Sequence, residues 1–110
     1  MESFEPFELH IVGIRHNRLK DGSRLRADQL GSAEEFFKNI SFLETEHEGE
    51  FAVDAYWKDQ RIGAIAKATL PTAEDWAVIM ENATSIDYLE VATNWSNEVV
   101  WIAIEVYVGD

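Results

Sequence analysis

The alternation of apolar and polar residues is clearest in the middle of the chain, where two stretches lie close together. Residues 51–56 read Phe-Ala-Val-Asp-Ala-Tyr, and residues 61–66 read Arg-Ile-Gly-Ala-Ile-Ala. A period of two is typical of half-buried β-strands, and the polar residues 57–60 predict the turn of a hairpin. Residues 40–46 predict a third strand, which leads through the acidic run 44–50 into the hairpin.

Alternating residues also occur towards both ends of the chain. Residues 7–15 alternate and then become apolar, which predicts a strand that enters a core. Gly13 inside this stretch predicts a bulge or a tight bend. Residues 86–93 and 99–108 predict two more strands, joined by a turn at residues 94–97.

A turn signal lies between the first strand and the first helix. Asp21 and Gly22 form a dipeptide that is common in tight hairpin turns. We therefore expect residues 24–30 to pair back onto the first strand.

Two short helices are predicted from their start signals. Ser32 with Glu35 fits a capping box, and two phenylalanines follow it. Thr72 is a suitable N-cap for a second helix, because acidic residues occupy the first turn and apolar residues follow on one face. The second helix should end near Asn82 or Ala83.

These elements predict a mostly-β (α+β) fold without regular βαβ alternation. We expect a small antiparallel barrel or curved sheet of six to seven strands, with two short helices. The 110 residues match the size of one domain, so residues 1–110 are predicted to form a single domain.

Composition narrows the cellular setting and the chemistry. The chain contains no cysteine, which excludes disulfides, thiolate metal ligands and thiol nucleophiles. The first residues are acidic rather than basic, and the apolar runs are short. We therefore expect a cytoplasmic protein without an export signal or a membrane span. No nucleophile motif, phosphate loop or zinc signature occurs, so we expect a non-catalytic protein with no cofactor.

Charge is distributed unevenly along the chain. The formal net charge is −12, which repels nucleic acid and anionic membranes at long range. Five of the nine Lys and Arg residues nevertheless lie in residues 15–26, which we call the basic corner. This segment could follow a nucleic-acid backbone, with Arg15 and Arg18 as phosphate contacts and His16 or Trp95 as a stacking surface. Alternatively, it is a solvated loop whose charges balance nearby carboxylates.

The order of motifs resembles the HIRAN domain family over residues 7–107. Val12-Gly13-Ile14-Arg15 resembles the end of the family's first strand. Residues 51–55 and 61–67 resemble its central hairpin, and residues 77–82 resemble its helix. The Asn-Pro-x-Asp-x-Asn loop of the family is replaced here by Glu46-His47-Glu48-Gly49-Glu50.

The resemblance implies a fold and a ligand. HIRAN domains are small β-barrels, and members attached to DNA-remodelling helicases hold single-stranded DNA at a free 3′ end. Arg15 matches the family's first-strand arginine, and Lys67 matches a phosphate-contacting lysine. His16 lies where the family often has an aromatic residue that stacks on a base.

Two other hypotheses remain open from the residues alone. The acidic side chains of residues 44–50 with His47 could bind a divalent metal, but their alternation is typical of the solvated face of a strand, and we expect no metal site. The chain could instead be a protein-interaction or scaffolding module that keeps a HIRAN-like fold without binding nucleic acid. It would use its acidic faces against a basic partner, or an exposed sheet edge for self-association.

The four tryptophans divide into two predicted groups. Trp57, Trp76 and Trp101 fall on periodic segments and are expected in the core or at its edge. Trp95 lies in a turn between Asn94 and Asn97. It is the best candidate for an exposed aromatic residue that contacts a partner or a base.

Overall fold

A computed structural model describes residues 6–109 of the chain. Six antiparallel strands form one sheet in the order β2-β3-β4-β1-β6-β5, and two helices accompany it. The predicted α+β class is therefore confirmed, with six strands rather than seven. Within the described residues β2 and β5 are the two edges, so the sheet is an open one. The elements are β1 Phe7–Val12, α1 Ala33–Asn39, β2 Ile40–His47, β3 Glu50–Trp57, β4 Gln60–Ile65, α2 Ala73–Asn82, β5 Ala83–Thr93 and β6 Val99–Val108.

The first strand ends at a bend, as the glycine in this stretch predicted. Gly13 has a φ of 74°, in the left-handed region, where a glycine pays no steric penalty. A short 3₁₀ helix at Ile14–His16 follows directly. The side chain of Asn17 donates a hydrogen bond to the carbonyl of Gly13 at 2.8 Å, which fixes the bend.

The predicted pairing of residues 24–30 with β1 is wrong. Both sides of β1 are already occupied, because Ile11 pairs with Ile65 of β4 and with Ile102 of β6. The segment instead makes one isolated bridge, between Arg26 and Glu98, and then a 3₁₀ helix at Ala27–Gln29. The turn at Asp21 and Gly22 does form, but it closes only a local loop.

The central hairpin is confirmed, with a tighter turn than the four-residue one expected. Lys58 and Asp59 have φ values of 49° and 63°, the positive pair that a two-residue hairpin turn requires. Glu48 and Gly49, with φ values of 54° and 81°, make the equivalent turn between β2 and β3. All three strands therefore follow one another through minimal connections.

Both helices begin as predicted. The hydroxyl of Ser32 accepts a hydrogen bond from the backbone N–H of Glu35, and that of Thr72 from Asp75, each at 3.2 Å. The helix starts share a pattern, Ser-Ala-Glu-Glu-Phe in one and Thr-Ala-Glu-Asp-Trp in the other. Each helix ends in an asparagine and continues directly into an edge strand, α1 into β2 and α2 into β5.

The two helices cover one face of the sheet, and the core lies between the helices and the sheet. Phe36 of α1 packs against Tyr88 of β5 with ring centroids 5.2 Å apart, and Trp76 of α2 meets Phe42 of β2 edge to face at 5.4 Å. Burial raises the pKa of Tyr88 to about 12, with the charge of Glu35 as a second cause. The predicted core positions Trp57 and Trp76 are both buried, at 4% and 2% exposure.

The opposite face of the sheet, which we call the outer face, is more polar. Trp101 lies there at intermediate burial, as a core-edge residue, and stacks on His10 with ring centroids 5.9 Å apart. Across residues 6–109, no helix has both the length and the apolar character needed to span a membrane.

Candidate nucleic-acid interface

Backbone hydrogen bonds join the basic corner to the turn between β5 and β6. The N–H of Ala27 donates to the carbonyl of Asn97 at 3.0 Å, and the N–H of Val99 donates to Leu25 at 2.8 Å. The guanidinium of Arg26 donates to the carbonyl of Ser96 at 3.0 Å. Arg26 and Ser96 are 70 residues apart in sequence. The basic corner and the turn between β5 and β6 therefore form one continuous surface, although they are distant along the chain.

The joined segments enclose a shallow cleft of about 290 Å³. Its lining contains three of the chain's basic or imidazole side chains, together with two residues of the turn. The lining residues are Arg15, His16, Arg24, Asn94 and Glu98.

Trp95 follows the lining residue Asn94 in the chain and is fully exposed, with a relative accessibility of 104%. Its turn is held rigidly, because the side-chain oxygen of Asn94 accepts hydrogen bonds from the N–H groups of Ser96 and Glu98, both at 3.0 Å. Asn97 completes the turn with a φ of 62°. An exposed indole on a well-ordered turn is a suitable platform for stacking.

The loop that carries the basic residues is anchored by its apolar side chains. Leu19 and Leu25 are buried in the core, whereas Arg15, His16 and Arg18 are exposed. The N–H of Leu19 donates to the carbonyl of Ser23 at 2.8 Å, which closes the loop between the two leucines. The charged side chains therefore project from a fixed backbone.

Arg18 contributes to the order of this loop as well as to its charge. Its guanidinium donates to the carbonyl of Gly22 at 2.9 Å. Asp21 accepts hydrogen bonds from the hydroxyl and the N–H of Ser23, and these bonds lower the pKa of its carboxyl. Arg18 lies on the same loop as Arg15 and His16, although it does not line the cleft.

Among the residues that the structure describes, most cations of the corner have no carboxylate partner. Within residues 6–109, Arg26 is the only cation of the corner that lies within 4 Å of a carboxylate, at 3.4 Å from Asp28. The side chains of Arg15, Arg18, Lys20 and Arg24 make no such contact in the described residues. These four cations are the ones available to an anionic ligand.

Lys67 is not part of this cleft. It follows β4, whose last residue pairs with Ile11, so Lys67 and Arg15 lie at opposite ends of the β1–β4 pair. Its ammonium forms an ion pair with Glu50. It lines a separate cleft of about 420 Å³, together with Arg61, which is ion-paired to Asp54 at 3.1 Å.

The structure thus brings together four of the five predicted contact residues in one region: Arg15, His16, Arg18 and Trp95. It also adds Arg24, which sequence reasoning did not select, although it belongs to the same basic run. No signal in the run distinguishes Arg24 from its neighbours, because its position depends on the long-range contact with the 94–97 turn.

The acidic side chains bear on the two other hypotheses, a metal site and a protein-interaction surface. Within residues 6–109, no group of three or more His, Asp or Glu side chains is placed to hold a metal ion. On the outer face, however, Glu8, Glu105 and Asp87 lie directly opposite one another across β1, β6 and β5. The hydroxyl of Tyr107 donates to Glu105 at 2.9 Å, and this bond to a carboxylate raises the pKa of the tyrosine.

Comparisons of the chain with family models, with curated proteins and with solved structures found no match. The resemblance to HIRAN domains therefore stays a prediction from the motifs.

Proposed function

We propose that the basic corner binds single-stranded nucleic acid. The observation that carries this proposal is the fully exposed indole of Trp95 directly after Asn94, which lines a cleft together with Arg15 and Arg24. Proteins that bind single strands combine stacking aromatic side chains with a positively charged track for the backbone. This corner has both features within one hydrogen-bonded surface.

The roles of the side chains follow from their chemistry. Trp95 stacks on a base, which contributes about 1–3 kcal/mol in such proteins. Arg15 and Arg24 contact phosphates from the cleft, and Arg18 contacts a neighbouring phosphate. His16 supplies a second, smaller ring for stacking. Lys67 contacts the nucleic acid only if the bound strand extends along β1. The ammonium of Lys67 must then leave its ion pair with Glu50.

The preferred ligand is single-stranded DNA, and the resemblance to HIRAN domains favours a free 3′ end. Four cations of the corner make no ion pair within residues 6–109, so the slope of log K against log salt should not exceed about −3, at ~0.7 per contact on a single strand. The affinity should therefore be modest, because the surrounding charge of −12 opposes it.

Fluorescence anisotropy of labelled single-stranded DNA at low and physiological salt tests the proposal. Oligonucleotides with free and blocked 3′ ends are compared, using wild type, Trp95→Ala, Arg15→Glu and Lys67→Glu. We expect Trp95→Ala and Arg15→Glu each to weaken binding by about tenfold or more, the effect of ~1.4 kcal/mol. If wild type prefers the free 3′ end and Lys67→Glu loses this preference, the interface includes Lys67 and continues along β1.

The matched control is Lys38→Glu, which makes the same charge change on α1. Lys38 is an exposed residue that lies 3.6 Å from Glu34. Equal losses in Lys38→Glu and Arg15→Glu would show a general charge effect and would contradict a defined interface. Absence of binding at low salt, where charges are least screened, would remove nucleic acid as the ligand.

A second candidate function is a protein-interaction module, and the acidic outer face favours it. Carboxylates directly opposite one another in a sheet destabilise it, so the row formed by Glu8, Glu105 and Asp87 has a cost in stability. A basic partner that bound this face would relieve the repulsion. This function is independent of the basic corner.

A further inference from the structure

The strand β2 presents an unusually regular sheet edge. It pairs with β3 over eight consecutive positions, from Ile40 opposite Trp57 to His47 opposite Glu50, without a register shift. In the part of the chain that the structure describes, no strand pairs with its other side. The other edge, β5, contains three register shifts. Bulges of this kind protect an edge from pairing, so β2 is the edge that remains competent to accept a strand.

The backbone groups that face outward from β2 can be identified. The carbonyl of Asn39 accepts a hydrogen bond from Lys58 at 2.8 Å, so Asn39 faces β3. The N–H of Ile40 donates instead to Phe36 of α1. Because alternate residues of an antiparallel strand face opposite sides, the N–H and C=O groups of Phe42, Glu44 and Glu46 point away from the sheet.

The charge around this edge determines which strand it fits. Residues 39–57 contain no Lys or Arg. Lys67 and Arg61 pair with Glu50 and Asp54 of β3, whereas Glu44, Glu46 and Glu48 make no ion pair within residues 6–109. A second copy of the chain would place carboxylates against carboxylates, which disfavours edge-to-edge dimers. A strand with basic side chains would place opposite charges next to Glu44 and Glu46.

The other face of the edge has a different character. Leu43 is 52% exposed and points to the side opposite Glu44. An apolar side chain of an incoming strand would cover it. The complementary strand therefore alternates basic and apolar residues.

We propose that the outward edge of β2 binds an extended protein segment with alternating basic and apolar residues, which adds to the sheet next to β2. Main-chain hydrogen bonds to Phe42, Glu44 and Glu46 supply the affinity, and the carboxylates select the basic segment. This inference builds on the protein-interaction candidate, to which it gives a site and a partner. It does not depend on nucleic-acid binding at the basic corner.

The probe is an eight-residue peptide of alternating Lys and Val, studied by calorimetry and by amide hydrogen exchange. Two matched peptides serve as controls, one with Glu in place of Lys and one with Nα-methyl-lysine in place of Lys. The N-methylated peptide keeps the charge, but its residues opposite Glu44 and Glu46 have no N–H to donate to a strand ladder. We expect only the Lys–Val peptide to bind and to protect the amides of Phe42, Glu44 and Glu46.

Two variants at one position separate the backbone from the charge. Glu44→Gln removes only the carboxylate, whereas Glu44→Pro also removes an outward N–H and leaves the bonds between β2 and β3 in place. Proline is tolerated on edge strands, and circular dichroism checks the fold. We expect Glu44→Pro to weaken binding by at least about tenfold more than Glu44→Gln does.

Several results would overturn the inference. Equal binding of the Lys–Val and N-methylated peptides would show a purely electrostatic contact. Absence of amide protection in the wild-type protein would exclude strand addition whether or not Glu44→Pro folds. A dimer of the protein alone that Glu44→Pro dissociates would make a second copy the occupant of this edge.

The same peptide-binding assay distinguishes failure of the β2-edge site from failure of the protein-interaction function as a whole. Peptide binding that is lost in Glu105→Gln but kept in Glu44→Pro would place the interaction on the outer face and overturn the edge site alone. No binding of any peptide would reject both. DNA binding is expected to be unchanged in Glu44→Pro, because no residue of β2 lines the cleft of the basic corner.

Discussion

Gly63 allows β4 to approach β1 closely at the centre of the sheet. A Cβ atom at this position would overlap the backbone carbonyl oxygen of Val12 and would lie 3.2 Å from Cγ1 of Ile14. The carbonyl belongs to a central strand that is paired on both sides, so it cannot move away easily. Gly63→Ala should therefore lower the free energy of unfolding by about 1–3 kcal/mol, the range of overpacked cores. Urea denaturation measures this change.

Gly22→Ala is the control for this prediction. Gly22 has a φ of 86°, but an added Cβ would meet no atom within 4 Å. Its substitution adds backbone strain without a clash and should cost roughly 1–2 kcal/mol, as a left-handed conformation does for other residues. If Gly63→Ala proved as stable as wild type, β1 and β4 would have to separate without cost, contrary to the steric argument.

At the scale of residues, the sequence predicts burial better than it predicts partners. The burial of Trp76 follows from its place on the apolar face of a capped helix, and the exposure of Trp95 follows from its turn. The ion pair between Lys67 and Glu50 and the place of Arg24 in the cleft could not be predicted in this way. Both depend on how distant segments meet, and charge patterns along the chain do not contain that information.

At the scale of elements, the two helices depend on their N-caps. Each helix is short, and the first N–H groups of a helix have no partner within the helix itself. The hydroxyl of Thr72 satisfies the N–H of Asp75, and α2 then buries Trp76 and Ile79.

Thr72→Ala should lower the free energy of unfolding by about 0.5–2 kcal/mol, the usual cost of losing an N-cap hydroxyl. Thr72→Ser keeps the hydroxyl and should stay close to wild type. Chemical denaturation of the three proteins measures both differences. Equal losses in the two variants would attribute the effect to the methyl group of Thr72 rather than to the cap.

The elements predicted from local signals formed, and the one that required a partner did not. Helix caps and hairpin turns are determined by adjacent residues, which is why α1, α2 and the central hairpin were predicted with nearly correct limits. Residues 24–30 had a suitable turn before them but no unpaired strand to join. Whether β1 has an unpaired side depends on the order of strands in the sheet, which periodicity alone does not determine.

At the scale of the whole molecule, charge divides the surface into two unlike regions. The basic corner holds five of the nine Lys and Arg residues, and residues 68–110 contain none. The C-terminal strands contribute Asp87 and Glu105 to the acidic row that Glu8 completes. A single chain can therefore offer one site to an anionic ligand and another to a basic protein. The two sites should respond to salt in a similar way, because both depend on attraction between opposite charges.

The stability of the fold itself should respond to salt in the opposite direction. Two directly opposed carboxylate pairs in the acidic row, each costing about 0.2–1 kcal/mol, add to the general repulsion of a chain with charge −12. Raising NaCl from about 10 mM to about 1 M shortens the screening length from ~30 Å to ~3 Å. The free energy of unfolding at neutral pH should therefore rise by about 1 kcal/mol. Glu105→Gln should show a smaller rise, since it removes the shared member of both pairs while retaining an acceptor for Tyr107. A free energy of unfolding that fell with salt would instead show that attractive pairs such as Arg61–Asp54 dominate the electrostatics of the folded state.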